Sequence, residues 1–261
     1  MKPVARSIFG LLALLPAAAW ALQPLITDDT GTQNAGGNQL EATYSRTVDK
    51  APGSRVVTHE VPVIFTRGIT DSLDLAIEGT RQRVVAGAPA SDEEGWTNTV
   101  IVAKWRFYEN EASKISFAIK PELRIPVSKN REARGLGTQR VSYGVGLLMT
   151  RETGFGAVHA NLVAHRVNYD DDALNAAERR TLYRLSVAPV WEVTDQWALA
   201  LDAGLLTNPD RTARTFMGYV EIGTIYSPTK DLELALGVIR SIMDRSADST
   251  QVTMGATWRF R

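Results

Sequence analysis

Asp28 and Asp29 form the first pair of residues in this sequence that could do chemistry. They lie in the stretch PLITDDTGTQNAGGNQLE, where Asn34 or Asn38 could add oxygen ligands for a hard cation. The same residues suit a turn that begins at Asp28 and continues through Thr30 and Gly31. We favour the turn, and we therefore predict neither a metal ion nor a cofactor here.

A second candidate is the stretch AVHANLVAHRV, in which His159, Asn161 and His165 alternate with apolar residues. Because side chains alternate across a β-strand, one face would present all three polar residues. A lipid hydrolase would need a serine nucleophile beside such a histidine, and no serine is adjacent in the sequence. His59 has the opposite position in the alternation of its own segment, which argues against a three-histidine zinc site.

Composition excludes several classes of function. The 261 residues contain no cysteine, which excludes disulfides and thiolate metal sites. Lys2 and Arg6 precede a short apolar run that ends in the letters AWA, which is typical of a secretory signal peptide over residues 1–21. The remaining chain has 27 basic and 29 acidic residues, so nothing indicates a nucleic-acid partner.

Apolar and polar residues alternate with period two from Leu40 to Phe260. In residues 141–149 and 252–260 the apolar set contains no charge, as expected for strands with one polar and one apolar face. The pattern predicts about twelve strands. They cover residues 38–48, 55–67, 73–85, 96–108, 115–127, 141–150, 156–168, 181–193, 197–207, 215–226, 232–242 and 250–260.

The connections alternate between short turns and long polar loops, as they do at the two rims of an outer-membrane barrel. A soluble β-sandwich also hides one face of each strand. Aromatic residues favour the barrel, because they gather at strand ends as in interfacial girdles. They are Phe65, Trp105, Phe107, Trp191, Trp197, Tyr226, Trp258 and Phe260 beside short turns or the C-terminus, and Tyr143, Tyr183 and Phe216 beside long loops. We predict an all-β fold, a transmembrane antiparallel β-barrel over residues 38–261 with both termini in the periplasm.

Four prolines fall inside predicted strands, where each removes a ladder hydrogen bond. They are Pro62, Pro121, Pro126 and Pro189. Because a closed barrel has no edge strand to host them, each predicts a bulge or a strand that ends earlier than drawn.

The N-terminal stretch and several turns resemble one family of outer-membrane proteins. The shared residues are Pro24, Thr27-Asp28-Asp29, Gly31-Thr32, Gln39 and Glu41. The turns GITDSLDL and VTDQWALAL and the strand end AKWRF are of the same kind. Together they resemble the family described as the putative MetA-pathway of phenol degradation. The resemblance implies a transporter-like barrel and the uptake of aromatic compounds, but it assigns no functional residues.

Charged and polar residues on the predicted inward faces form the candidate site. They could line an aqueous path and set its selectivity, or they could pair across the lumen and close a small barrel. The sequence leaves both possibilities open. The predicted lumen-lining residues are Glu78, Lys104, Arg106, Lys120, Glu122, Arg124, His159, Asn161, His165, Arg184, Asp202 and Glu221.

Residues 22–37 do not alternate and directly precede the first strand. We predict that they form a plug or latch in or under the periplasmic mouth. Asp28 and Asp29 would then meet inward basic groups at the short-turn rim. Arg106 and Arg259 are the best placed of these by strand position.

These features predict an outer-membrane channel for passive passage of small solutes, with aromatic or hydrophobic compounds among the expected ones. No enzymatic activity is expected, because no inward face combines a nucleophile, a base and an orienting group. The predicted partners are outer-membrane lipids, a small-molecule solute and the barrel assembly machinery, and the oligomeric state is left open. Two alternatives remain, an outer-membrane lipid hydrolase that depends on His159 and a closed structural or adhesive barrel.

Overall fold

A computed structural model of the chain describes residues 24–51, 54–86, 92–243 and 248–261. The predicted signal peptide and residues 22 and 23 lie outside these ranges. The strands are β1 (Asn38–Ala51), β2 (Ser54–Thr70), β3 (Leu73–Ala86), β4 (Glu93–Trp96), β5 (Val100–Asn110), β6 (Ile115–Arg124), β7 (Ser142–Thr153), β8 (Gly156–Arg166), β9 (Thr181–Glu192), β10 (Trp197–Thr207), β11 (Phe216–Tyr226), β12 (Leu232–Ile242) and β13 (Asp248–Phe260). Two helices lie in loops, α1 (Lys129–Ala133) and α2 (Asp172–Ala177). Neither of these helices has the length and apolar composition needed to cross a bilayer.

The antiparallel ladder closes on itself. β1 pairs with both β2 and β13, and β2 pairs with β3. β4 and β5 both pair with β3, and between them the Thr97 N–H donates to the Thr80 carbonyl. They therefore act as one interrupted strand, and the barrel has the twelve strand positions that the sequence predicts.

The strand register climbs around the barrel. A path along paired residues starts at Leu73, beside a short turn, and ends at Ile242, beside a long loop. Its intermediate steps are Trp105, Ile119, Leu147, Leu162, Leu185, Leu205 and Gly218. Such a climb follows from the tilt that strands adopt when a sheet closes into a barrel.

Outward side chains are apolar and exposed, whereas inward side chains are polar and buried. Ile222 is 70% exposed, and its chain neighbour Glu221 is fully buried. Aromatic rings gather at the short-turn rim, where Trp197 stacks on Tyr226 with ring centroids 4.6 Å apart. An apolar outside edged by such rings requires lipid rather than water as its solvent, and it places the barrel in a membrane.

Three of the four prolines lie within strands without the expected bulges. Pro62, Pro121 and Pro189 each keep continuous pairing with one neighbouring strand. The ladder on the other side is interrupted for two residues and then resumes in the same register. The bulge prediction is wrong at these positions, because a missing N–H weakens one ladder without adding a residue to it. Pro126 lies beyond the end of β6, as the alternative of an earlier strand end predicts.

Candidate functional site in the barrel lumen

Residues 24–37, named here the N-terminal segment, lie inside the barrel before β1 begins. Leu25 is fully buried and packs against Ala188 on β9. Pro24 lies against Gly223 on β11, where a β-carbon would come within 2.4 Å of the Pro24 Cγ atom. The small inward residues of these strands therefore leave room for the segment.

Thr27 attaches the segment to β9 and β10. Its backbone N–H donates to one carboxylate oxygen of Asp202 at 2.6 Å, and its hydroxyl lies 2.8 Å from the other. The same hydroxyl is 2.8 Å from the Ser186 hydroxyl, and the Tyr219 hydroxyl donates to Asp202 at 2.9 Å. The Asp202 carboxylate is thus held at the barrel wall by three donors from two residues.

Asp28 makes the deepest charged contact of the segment. Its carboxylate is 2.5 Å from the Lys120 ammonium and 3.5 Å from that of Lys104. Asn161 clamps its backbone, accepting from the Asp28 N–H at 2.7 Å and donating to the Asp28 carbonyl at 2.8 Å. The sequence predicts Asn161, Lys104 and Lys120 only as lumen-lining residues of the wall, and the structure brings all three to one residue of the segment.

Asp29 lies closer to solvent and contacts Lys104 at 3.5 Å. Burial raises the pKa of Asp29, but the charge of Lys104, that of His159 and the Gly31 N–H outweigh this and hold the pKa below its usual value. Asp29 is therefore an anion at neutral pH. Its charge offsets part of the lysine charge at this level of the lumen.

The predicted partners of the aspartate pair are incorrect. Arg106 pairs with Glu109 at 3.4 Å, and Arg259 pairs with Glu233 at 2.9 Å. The segment runs deeper than a rim latch would, so its carboxylates reach lysines on the wall. The sequence indicates only where a residue lies along its strand. It does not reveal how deeply a segment without alternation enters the lumen.

Thr30 links the segment to the predicted lumen residue His159. The Thr30 N–H donates to the Thr150 hydroxyl at 3.1 Å, and the same hydroxyl lies 3.0 Å from His159 Nδ1. The Thr30 hydroxyl is 2.5 Å from that of Ser116. These contacts attach the segment to β6, β7 and β8.

The end of the segment is fixed at the periplasmic rim. The Gln33 N–H donates to Asp74 at 3.1 Å, and the Gly36 N–H donates to the Gly68 carbonyl at 3.0 Å. Gly36 has a φ of 81°, a conformation that favours glycine. At Gly68, a β-carbon would lie 1.8 Å from the Asn34 carbonyl oxygen. This tight crossing positions β1 and the segment together.

A second ionic cluster lies toward the extracellular side of the lumen. Glu122 accepts from Arg124 at 3.0 Å and lies 3.0 Å from His165 Nδ1. Glu78 is buried and accepts from the Thr80 hydroxyl at 2.8 Å. Ion pairs between residues of the wall therefore coexist with wall charges that contact the N-terminal segment.

The remaining predicted lumen residues lie near the Thr27 contact or at the rim. Glu221 is fully buried and is paired in register with Asp202, and Arg184 is within electrostatic reach of that same carboxylate. Arg106 lies at the periplasmic rim, where its guanidinium donates to the Asp71 carbonyl at 3.1 Å. The twelve predicted residues thus lie on inward faces but fall into separate groups.

A cavity of about 690 Å³ lies between the segment and the periplasmic rim. Its lining includes Asp29, Glu41, Asp74, Lys104 and Arg259. Asp28 also lines the cavity, at the point where the segment contacts Lys120 on the wall. Within the part of the chain that the structure describes, no group of three or more His, Asp or Glu residues could hold a metal ion.

The extracellular loops carry contacts that the sequence analysis missed. Glu132 in α1 accepts from the backbone N–H groups of Gln139, Asp170 and Asp171 at 2.6 to 3.1 Å. Arg179 donates to the Asn208 carbonyl at 2.8 Å and to other carbonyls of the next loop. Charged residues in loops follow no periodic pattern. The sequence therefore gives no signal that distinguishes Glu132 and Arg179 from loop residues that contact only solvent.

Comparisons with known proteins agree with this architecture. Residues 23–260 match the family described as the putative MetA-pathway of phenol degradation. No curated protein matches the chain. An outer membrane channel from Pseudomonas putida F1 has a TM-score of 0.73 at 16% identity, over 89% of this chain and 98% of that one. The NanC porin (0.56, 9%, 83% and 98%) and the CymD monoaromatic hydrocarbon channel (0.52, 6%, 87% and 89%) are also similar.

Proposed function

Because the chain belongs to the family described as the putative MetA-pathway of phenol degradation, we propose that it is a channel for passive passage of small solutes across the bacterial outer membrane. One observation carries the proposal, the charged and polar interior of a closed barrel whose outside is apolar. Such an interior offers small solutes a polar path across the membrane, which a lipid bilayer does not. The solved barrels with the same fold include channels and porins.

In this proposal the N-terminal segment is a movable plug. Its contacts with the wall are mostly hydrogen bonds and ion pairs, and its apolar contacts come from Pro24, Leu25 and Ile26 at its beginning. A hydrogen bond contributes about 0.5–1.5 kcal/mol net, because water replaces it when it breaks. The segment can therefore leave the wall more readily than an apolar plug of the same size.

The solutes are proposed to be small and aromatic, of the size and polarity of a phenol. Support comes from the family description and from the similarity to CymD, a monoaromatic hydrocarbon channel. Near the segment the lumen has no dominant charge sign, since Lys104 and Lys120 face Asp28 and Asp29. A neutral ring with one hydroxyl suits such a mixture of donors and acceptors.

Catalysis is not part of the proposal. Within the residues that the structure describes, His59 contacts the Tyr44 hydroxyl, His159 contacts Thr150 and His165 contacts Glu122. None of these partners is a serine, and the ring of His159 is buried away from lipid. The purified protein should therefore release no fatty acid from phospholipid in a His159-dependent manner.

A reversible crosslink tests both passage and plug. The chain has no cysteine, so Thr30→Cys with Ser116→Cys would join the segment to β6 at a point where the native hydroxyls are 2.5 Å apart. Proteoliposomes of this variant would be compared, oxidised and reduced, for swelling in arabinose and in hydroxybenzoate. The two single-cysteine variants are the matched controls.

The reduced variant should pass both solutes, and oxidation should slow passage several-fold while the single variants do not respond. Faster passage of hydroxybenzoate than of an aliphatic acid of equal size would support the aromatic class. Equal rates before and after complete oxidation would contradict a movable plug. Absence of passage in every state, including a variant that lacks residues 22–37, would instead support a closed structural barrel.

A further inference from the structure

Basic residues cluster on the outward face where β1 and β2 approach the extracellular rim. We name Arg46, Lys50 and Arg55 the basic rim patch. Lys50 lies directly opposite Arg55 in the β1–β2 register, and Arg46 lies opposite His59. Within the described ranges, none of the three has a carboxylate partner. Like charges directly opposite one another destabilise a strand pair unless an anion lies between them.

The strands beside the patch show a different arrangement. Arg81 on β3 pairs with Glu94 at 2.7 Å, and Arg83 pairs with Asp92 at 3.0 Å. Each of these arginines is neutralised by a carboxylate, that of Glu94 on β4 or that of Asp92, which directly precedes β4. On the other side of β1, Asp248 on β13 lies opposite Lys50, but its carboxylate pairs with Arg240 at 3.1 Å. The charge of the basic rim patch therefore remains available to a ligand.

The patch begins at the height of the extracellular aromatic girdle. The register path from Ile77 on β3 leads over three strands to Tyr143 at the top of β7, a climb of roughly 9 Å at a tilt of about 40°. Arg81 lies four residues above Ile77, roughly 10 Å higher, and so is level with Tyr143. By the same geometry, the paired residues Lys50 and Arg55 lie roughly 10 Å farther toward the extracellular side than Tyr143 does.

We propose that the basic rim patch binds the phosphate groups of the phosphorylated glycolipid in the outer leaflet, lipopolysaccharide. The patch faces away from the lumen, so a transported solute cannot reach it. Its height is that of lipid headgroups, and lysine and arginine are the side chains that bind phosphate best. At the same level β7, β9 and β11 carry Tyr143, Tyr183 and Phe216, so the site occupies one side of the barrel.

The binding of bisphosphorylated lipid A to the mature, detergent-solubilised barrel tests the proposal, with native mass spectrometry as the readout. The patch variant carries Arg46→Gln, Lys50→Gln and Arg55→Gln. A variant that does not show heat-modifiable mobility would be replaced by Lys50→Gln with Arg55→Gln, whose positions lie beyond the girdle.

The matched control removes the same charge at the periplasmic rim. It carries Lys114→Asn, Arg151→Gln and Lys230→Gln, all at exposed positions. Asparagine is chosen at position 114 because Lys114 has a φ of 53°, which asparagine tolerates well.

The patch variant should bind lipid A roughly tenfold more weakly than the wild type, and the control should bind like the wild type. Lipid A without phosphates should bind wild type and patch variant equally weakly. Unchanged binding by the patch variant would overturn the proposal. Binding of phosphatidylglycerol as tight as that of lipid A would also overturn it, because the site would then recognise any anionic surface. Solute passage does not enter this test, so its outcome is independent of the proposed channel.

Discussion

The Asp28 carboxylate lies 2.5 Å from the Lys120 ammonium, and each side chain is less than a tenth exposed. This ion pair joins the N-terminal segment to β6, while the neighbouring Thr27 joins it to Asp202 on β10. Two adjacent residues thus attach the segment to different parts of the wall. Removing one partner of a buried ion pair leaves an uncompensated charge, so closure of the lumen should be most sensitive at this position.

Asp28→Asn should open the channel. Loss of one partner of a buried pair costs about 3–5 kcal/mol, which is more than any single hydrogen bond of the segment contributes. We expect larger or more frequent conductance steps in planar bilayers. Asp28→Asn combined with Lys120→Gln should restore much of the closed state, because the charge that Asp28 balances at 2.5 Å is then removed as well.

Asp29→Asn is the matched control for this pair. The Asp29 side chain is 26% exposed and lies 3.5 Å from Lys104, so its loss should cost under about 1 kcal/mol. Conductance should remain close to that of the wild type. Equal effects of the two substitutions would mean that the buried pair does not control closure.

Gly223→Ala should displace the beginning of the segment. The new β-carbon would lie 2.4 Å from the Pro24 Cγ atom, closer than any non-bonded carbon pair can approach. The barrel should assemble, with normal heat-modifiable mobility and increased conductance. Gly146→Ala is the control, since its nearest neighbour would be a flexible Leu148 side-chain atom at 3.4 Å. A Gly223→Ala channel that conducts like the Gly146→Ala channel would contradict the packing of Pro24.

The strands were predictable because their solvents differ on the two faces. Ile222 and Glu221 are adjacent in sequence, and a period of two places one in lipid and the other in the interior. Interior charges such as Lys120 and Asp202 follow from the same period. Their partners do not, because pairing across a lumen depends on the depth and direction of a segment without periodicity.

The proline positions show a second limit of the sequence. Pro121 reads as a break in β6, yet the ladder to β7 runs through it without a shift. A missing donor affects only the neighbour that would have received its hydrogen bond. Sequence reveals that a hydrogen bond is lost but does not reveal which of the two ladders loses it.

Glu132→Ala should uncouple two extracellular loops. The Glu132 carboxylate accepts hydrogen bonds from three backbone N–H groups, and bonds to a charged group contribute about 1.5–3 kcal/mol each. Amide exchange at Gln139, Asp170 and Asp171 should quicken by a factor of about 30 or more, equivalent to about 2 kcal/mol. Glu111→Ala, at an exposed turn position, should leave exchange at these amides unchanged. Protection that survives Glu132→Ala would show that other contacts hold the loops.

Loop closure at the extracellular mouth should weaken as pH rises through neutrality. Burial, followed by the charge of Asp210, raises the pKa of Glu178 from its ordinary value near 4.5 to about 7, although Arg179 and Arg211 oppose this. The closed loops therefore favour the protonated carboxyl. The stabilisation of the closed loops by the protonated Glu178 carboxyl is complete below about pH 4.5 and is lost as pH rises through 7.

Amide exchange of residues 167–180 and 208–215, corrected for the intrinsic rate at each pH, measures this dependence. Protection in the wild type should fall between pH 5.5 and 8.5. Glu178→Gln keeps a neutral, hydrogen-bonding side chain at the buried position, so its protection should stay flat over the same range. Arg179 donates to backbone carbonyls of the neighbouring loop, and it should hold the remaining contacts between the loops in both proteins. Protection that rises with pH, or a slope that persists in Glu178→Gln, would assign the titration to another group.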